Sequence, residues 1–307
     1  MFYQSSIRLL PMAIFMFLAG CSGSGNESQV KKEQTSTETT ASASAAQTQT
    51  SGIKVGIDQP RNDTDFWTAF ANYVLQKGAE LGVDLFQTSS NNDAQKMIAN
   101  VQQMLQSDVK SIVLAPQDTA ATTSALSSAK EKGIPVITVD TRPDAGDVYM
   151  VVRADNKAYG RDACTVIGEK INGEGRVVEF QGALNSINGR DRSEAFAECM
   201  KTNYPKIELI EVPTDWKKEP AIAGLQTALA GGKVNGIYMQ AGGVYLEPTL
   251  AFLKQNNILK PAGDQEHIVI VSNDGIKSEL DAIKRGDIDA TVSQPADGYS
   301  HWALYYA

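Results

Sequence analysis

Short apolar runs rich in Val and Ile recur along the chain from residue 53 onward. Between them lie stretches whose apolar positions return every three or four residues. The short continuous runs predict buried strands, and the helical spacing predicts amphipathic helices. Strands are expected at 53–57, 83–87, 111–115, 134–139 and 148–152, then at 176–181, 207–212, 236–240, 267–272 and 289–293. Helices are expected over 65–81, 93–106, 119–132, 157–171, 191–203, 219–229, 244–255 and 277–284, with another beginning after Pro295. Phe66, Ala69, Phe70, Tyr73 and Val74 share one face of the first helix, which Gly82 stops. Met97, Val101, Met104 and Leu105 mark the face of the second.

Strands alternating with helices imply parallel sheets covered on both faces. Two similar series imply two doubly wound domains. In such sheets ligands sit beyond the carboxyl ends of the strands, so the residues after each strand carry the functional reading. Those residues are Asp58 to Asp65 and then Phe66-Trp67; Asp140-Thr141-Arg142; Arg190-Asp191-Arg192; Thr214-Asp215-Trp216; Gln240 to Gly243; Asn273-Asp274-Gly275; and Gln294. Aromatic rings, carboxylates, guanidinium and amides thus converge on one cleft. A sugar has apolar C–H faces and a rim of hydroxyls. Phe66, Trp67 and Trp216 can cover the faces. Asp140, Arg192, Asp274 and Gln294 can bond the rim, where a lost partner leaves a buried group unsatisfied. Plainer roles compete with these. Phe66 can staple the first helix to the sheet, Trp216 can lie on its own helix, and Asp140 and Asp274 can cap helices or form turns. Arg190 suits a salt bridge, Asp155-Asn156 suits a turn and cap, and Gly242-Gly243 suits either a backbone approach to ligand or a helix start.

Before the alternation begins, Arg8 precedes an apolar run over 9–18, and Leu18-Ala19-Gly20-Cys21 follows. The run is too short to span a bilayer comfortably and has the layout of an export signal. The cysteine at its end resembles a bacterial lipobox, which makes residues 1–20 a lipoprotein signal peptide and Cys21 the acylated first residue. An ordinary secretory signal with an incidental cysteine is the simpler alternative. Two or more acyl chains hold a protein on a membrane, each buried methylene adding about 0.8 kcal/mol. Residues 21–52 are Ser-, Thr-, Ala- and Gln-rich with almost no apolar mass, and read as a disordered tether with a span of roughly 30 Å.

The chain has 307 residues and a formal net charge of −8. Residues 53–307 suffice for one large or two medium domains, and the acidic balance argues against nucleic acid. Cys164 and Cys199 both fall on predicted helices. They either pair, as an oxidising compartment permits, or remain as buried thiols. There is no zinc spacing, and His267 and His301 are isolated. Asp58, Asp63 and Asp65 lack the Gly and terminal Glu of a calcium loop and are read as loop solvation. Neither metal nor cofactor is expected.

Taken in order, Phe66-Trp67, the run from Pro135 to Asp140, Ala154-Asp155-Asn156, the run from Gly189 to Arg192 before Ala195-Phe196, Asn273-Asp274-Gly275, and the run from Ala290 to Gln294 make residues 53–307 resemble the ribose-binding-protein-like family of sugar-binding proteins. These are type I periplasmic binding proteins that serve ABC importers. The resemblance implies an N-terminal lobe of residues 53–153 plus 295–307 and a C-terminal lobe of residues 154–294. A multi-strand hinge would join them at Ala154-Asp155 and at 293–295. It implies that Phe66, Trp67 and Trp216 stack on the sugar while Asp140, Arg192, Asp274 and Gln294 bond its hydroxyls. Ribose binders carry Asn-Asp where this chain has Ala241-Gly242 and an aromatic where it has Asn273. The loop 59–65 is also longer, and Arg142 stands one place past the family's arginine. These departures point away from ribose itself and toward a roomier pocket. The family continues past the point where this chain stops, Tyr306-Ala307, within a predicted helix, so the C-terminus is read as truncated.

The expected function is therefore that of a monomeric, lipid-anchored, extracytoplasmic receptor. It would capture a monosaccharide or related polyol between two lobes and deliver it to an ABC permease and its ATPases. Ligand favours the closed form only by its differential affinity for it. The alternative output is presentation of a sugar-like signal to a sensor kinase or chemoreceptor. A hydrolase built on Asp140 and Asp274 is a third reading. It lacks a Gly-x-Ser-x-Gly elbow, a phosphate-binding loop with Lys and a His base, so no enzyme activity is expected. A cytoplasmic sugar-responsive repressor shares the fold, but the export signal and the lack of a DNA-binding headpiece oppose it.

Overall fold

A computed structural model describes residues 52–307. The export signal, Cys21 and the tether as far as Ser51 lie outside the described residues. The first five predicted strands form one sheet: β1 (Lys54–Gln59), β2 (Asp84–Ser89), β3 (Ser111–Leu114), β4 (Val136–Val139) and β5 (Met150–Val152), in the order β2-β1-β3-β4-β5. The next five form a second: β6 (Glu174–Gln181), β7 (Lys206–Pro213), β8 (Gly236–Met239), β9 (Val269–Asp274) and β10 (Ala290–Ser293), in the order β10-β9-β8-β6-β7. Every pairing is parallel. Numbered within its own series, each sheet has the order 2-1-3-4-5, so the two α/β domains repeat one topology.

The helices cover both faces, which is why β3, β4 and β8 are buried at every position. Around the first sheet run α1 (Asp65–Leu81), α2 (Ala94–Leu105) and α3 (Thr122–Glu131). Around the second run α4 (Asn156–Lys170), α5 (Ile187–Asn203), α6 (Lys218–Ala230), α7 (Gly242–Gln255) and α8 (Lys277–Arg285). The chain then returns, and α9 (Ala296–Tyr306) packs beside α1, placing Tyr299, Ala303 and Leu304 in the core that holds Val55, Phe70 and Ile137. Local signals explain the helix ends. Thr64, Asp93 and Asp155 accept hydrogen bonds from the first-turn amides of α1, α2 and α4, and Gly82 takes the left-handed conformation that ends α1.

Two sequence expectations change, and one open alternative is settled. Helix α5 starts at Ile187, four residues before the predicted 191, so the Gly- and Asn-rich segment forms its first turn rather than a loop. Gly189 makes that possible, because a Cβ there would overlap the Ala183 backbone. Asp58 is not loop-solvating. It is buried at the end of β1, where Oδ1 accepts from Thr88 Oγ1 and Asn100 Nδ2 at 2.7 Å each. Cys164 on α4 and Cys199 on α5 form a disulfide, with Cα atoms 6.2 Å apart.

Candidate functional site

Because the two sheets point their carboxyl ends at each other, the strand-end loops of both domains enclose one cavity of about 530 Å³ of atom-free space, its mouth included. Phe66, Trp67, Asp140, Arg192, Trp216, Asp274 and Gln294 all line it. The rings of Phe66 and Trp67 belong to the first turns of α1 and meet edge-to-face at 5.1 Å. They are buried members of the first domain's core, so stapling the helix and walling the cavity are one role, not two. Trp216 enters from the opposite side, on the loop after β7. Its indole lies over Gly182, where any Cβ would overlap the ring.

The polar residues form a connected set. Asp140 sits in a left-handed conformation (φ 64) just past β4 and receives Asn188 Nδ2 and Thr141 Oγ1 on Oδ2, both at 2.9 Å. Its Oδ1 has no hydrogen-bond partner among the described residues. Burial raises the carboxyl above its ordinary range, and the charge of Arg192 opposes the rise. Asp274, with φ 142 at the end of β9, accepts from Gln294 Nε2 at 2.8 Å and from the Gly243 amide at 3.0 Å. Burial and the neighbouring Glu279 push it up to about 7. Gln294 Oε1 has no partner. Non-glycine residues held at such φ values carry strain that the surroundings must over-determine, and they cluster at ligand sites.

Arg192 is buried without an ion pair to any carboxylate among the described residues. Its Nε donates to Asn156 Oδ1 at 2.7 Å and Nη1 to the Gln240 carbonyl at 2.6 Å. The guanidinium carbon lies 5.5 Å from the Tyr159 ring centroid and 5.8 Å from that of Trp216. Beneath it Gln240 Nε2 donates to Glu179 Oε1 and Ser193 Oγ at 2.7 Å each, and burial raises Glu179 well above the usual carboxylate range.

The strand-end segment 58–65 includes Arg61 but assigns it no role, and the chain pattern misses Gln117, Ser186 and Asn188; all four line the cavity. Gln117 follows β3, which with β1 flanks the switch in strand order, so the strand-end rule could have found it. Asn188 was hidden by the misplaced start of α5. Arg142 is exposed and stands outside the cavity. Arg190 forms its salt bridge, with Asp144 of the other domain at 2.6 Å. Gly243 donates to Asp274 and faces Thr64 across the cleft so closely that a Cβ there would lie 3.0 Å from the Thr64 Cβ. Thr119 and Asp118 meet Asn185 at the same rim. The two domains are thus closed around the cavity.

Two like-wound parallel-sheet domains closed on a cavity of aromatic rings, carboxylates, guanidinium and amides define a bilobal solute-binding protein. Residues 55–307 match the model of the periplasmic binding protein domain, and the chain belongs to that family. The ribose import binding protein RbsB of Haemophilus influenzae is 27% identical over 233 residues, 76% of each chain. The xylitol-binding protein of Mycolicibacterium smegmatis is 26% identical over 215 residues, covering 69% of this chain and 59% of that one. Among solved structures, an ABC transporter solute-binding protein from Mycobacterium smegmatis with bound glycerol superposes with a TM-score of 0.76 at 25% identity, over 83% of this chain and 87% of that one. This membership places the protein in a family that works outside the cytoplasm.

Proposed function

We propose that the protein captures a monosaccharide or related polyol between its two domains and delivers it to an ABC permease. One observation carries the reading. Seven strand-end residues from two separate domains converge on a single cavity in which Asp140 Oδ1 and Gln294 Oε1 are left free to accept ligand hydroxyls. Phe66 and Trp67 on one side and Trp216 on the other supply the stacking faces, while Arg192 and Asp274 fix the polar rim. The lobes are residues 53–153 with 295–307, and residues 154–294. They turn on the crossings where Ala154 N donates to Tyr299 Oη and Tyr159 Oη donates to the Ser293 carbonyl. The import binding proteins among the relatives favour delivery to a permease over presentation to a sensor kinase or chemoreceptor. The protein acts as a monomer and performs no chemistry on what it binds.

The test is calorimetry against ribose, xylitol, myo-inositol, allose and other monosaccharides and polyols. Saturable one-to-one binding of at least one is expected, and heatless titrations throughout would overturn the reading. Anchoring through an acylated Cys21 is part of the same proposal. Cys21→Ala should move the protein from the membrane fraction to the soluble fraction, and unchanged fractionation would remove the anchor.

A further inference from the structure

Trp216 is the second domain's ring in the cavity, and its backbone is the least relaxed of the stacking residues. Asp215 and Trp216 are consecutive non-glycine residues with left-handed φ of 54 and 55. Side chains disfavour that conformation, so two in a row persist only where neighbours hold them. Within the second domain, Thr214 N and Oγ1 donate to the Gln181 carbonyl at 3.3 and 2.6 Å, and the Lys217 amide donates to the Thr214 carbonyl at 3.0 Å. These bonds fix the entry to the turn and close it. The Lys217 bond holds the N–H side of the peptide that joins Trp216 to Lys217, and none of the three reaches the Trp216 carbonyl on its other side.

That carbonyl is held from the other domain. Arg61 Nη1 donates to the Trp216 carbonyl at 3.2 Å. The guanidinium is aimed by Asp63, which accepts from Nε at 2.5 Å and from Nη2 at 2.9 Å. A bidentate pair of this kind fixes the plane of the guanidinium as well as its position. With Nε and Nη2 engaged on Asp63 and Nη1 on Trp216, the arginine serves as a strut across the cleft rather than as a free donor for a sugar.

We infer that Arg61 is a positioning residue for ligand capture. From the facing domain it locks the turn that directs the Trp216 indole into the cavity, so that stacking on the ligand and closure of the cleft are one event. The inference rests on the proposed sugar-capture function. When the domains separate, the strut leaves Trp216 and the turn loses its only hydrogen bond from the first domain among the described residues. Closure then restores the ring to its stacking position, which makes affinity depend on closure by more than the sum of direct contacts.

The test uses the full chain with Arg61→Ala, Arg61→Lys, Trp216→Ala and the Arg61→Ala/Trp216→Ala double variant, titrated with ribose, xylitol and myo-inositol. For whichever probe the unsubstituted protein binds, Arg61→Ala should weaken affinity about tenfold. Arg61→Lys should recover part of the loss, and the double variant should bind no more weakly than Trp216→Ala alone. Losses that add in the double variant would mean that Arg61 acts independently of Trp216, and would overturn the inference. Amide hydrogen exchange without any sugar gives the second arm. Exchange at residues 216–217 should rise in Arg61→Ala while the strands keep their protection, and unchanged exchange there would also overturn it. If none of the three probes binds, the capture reading is what suffers, and the exchange arm still decides the role of Arg61.

Discussion

The two domains share a strand order and differ in how they build their half of the cavity. The first domain uses its core. Phe66 and Trp67 are buried in the same cluster as Val55, Phe70 and Tyr299, so their rings hold α1 on the sheet and wall the cavity at once. The second domain uses a polar scaffold. Arg192 hangs between two amide groups, Asp274 lies over buried Glu279, Glu179 supports Gln240, and Trp216 stands on a left-handed turn outside its sheet. It also carries the Cys164–Cys199 cross-link between α4 and α5. A wall made of core couples recognition to stability. A wall made of loops and hydrogen bonds lets affinity change with little cost to the fold.

The largest effect should come from Phe66→Ala. Removing a buried aromatic costs about 3–5 kcal/mol. At about 2–4 °C per kcal/mol for a chain of this size, the thermal midpoint should drop by roughly 6–20 °C. Sugar affinity should fall with it. A variant that loses binding with an unmoved midpoint would break the first half of the comparison, because it would separate the wall from the core.

Trp216→Ala is the counterpart, with a smaller effect on the fold. The ring is half-buried against the edge of the second domain's core, so the midpoint should fall by only about 2–4 °C, the shift for a loss of about 1 kcal/mol. Affinity for the sugar found by calorimetry should fall roughly 10- to 100-fold, the range for losing an aromatic anchor. Unchanged affinity would remove Trp216 from the site.

Much of this contrast was legible in the chain. The alternation of short apolar runs with helical spacing gave both sheets, because the central strands, buried on two faces, have no polar partner positions to blur them. The strand-end rule gave Phe66, Trp67, Asp140, Arg192, Trp216, Asp274 and Gln294, since topology alone decides which loops face the cleft. What escaped depends on exact backbone path. Asn188 was missed because Gly189 admits a tight approach to Ala183 that spacing does not reveal, and this pulls α5 four residues forward. Asp58 reads as a loop carboxylate until β1 is seen to run two residues past Ile57, which buries it against Thr88 and Asn100. Arg61 has no role that the chain pattern can assign until the facing domain brings the Trp216 carbonyl to it. The disulfide needed the relative rotation of two helices, which no pattern along one chain contains.

The smallest effect is a pH slope, and it sharpens the comparison because most of its sources are in the second domain. Burial raises Glu179, Asp274 and Glu279 above their ordinary values, Asp274 to about 7. In the first domain Asp58 and Asp140 are raised for the same reason. A carboxyl raised in the fold binds more protons there than in the unfolded chain, so stability falls as pH climbs from the ordinary carboxylate range through the folded value. His267 has the same sign. Its two ring nitrogens face only acceptors, Asp289 Oδ2 at 2.8 Å and the Lys260 carbonyl at 2.7 Å, which favours the imidazolium. The hydrogen bond to Asp289 raises its pKa, and the stability it adds is lost as pH rises through that folded value. Asp289 itself opposes this only at more acid pH. Burial would raise it, but the bonds from His267 and the Ile270 amide outweigh burial and hold it below its usual value. The unliganded protein should therefore melt a few degrees higher at pH 5 than at pH 7.5. Asp274→Asn and Glu179→Gln should each flatten that slope, and Asp58→Asn should flatten it less. A midpoint that rises from pH 5 to pH 7.5, or a slope that survives both second-domain substitutions, would show that the buried carboxyls of the second domain are not its polar scaffold.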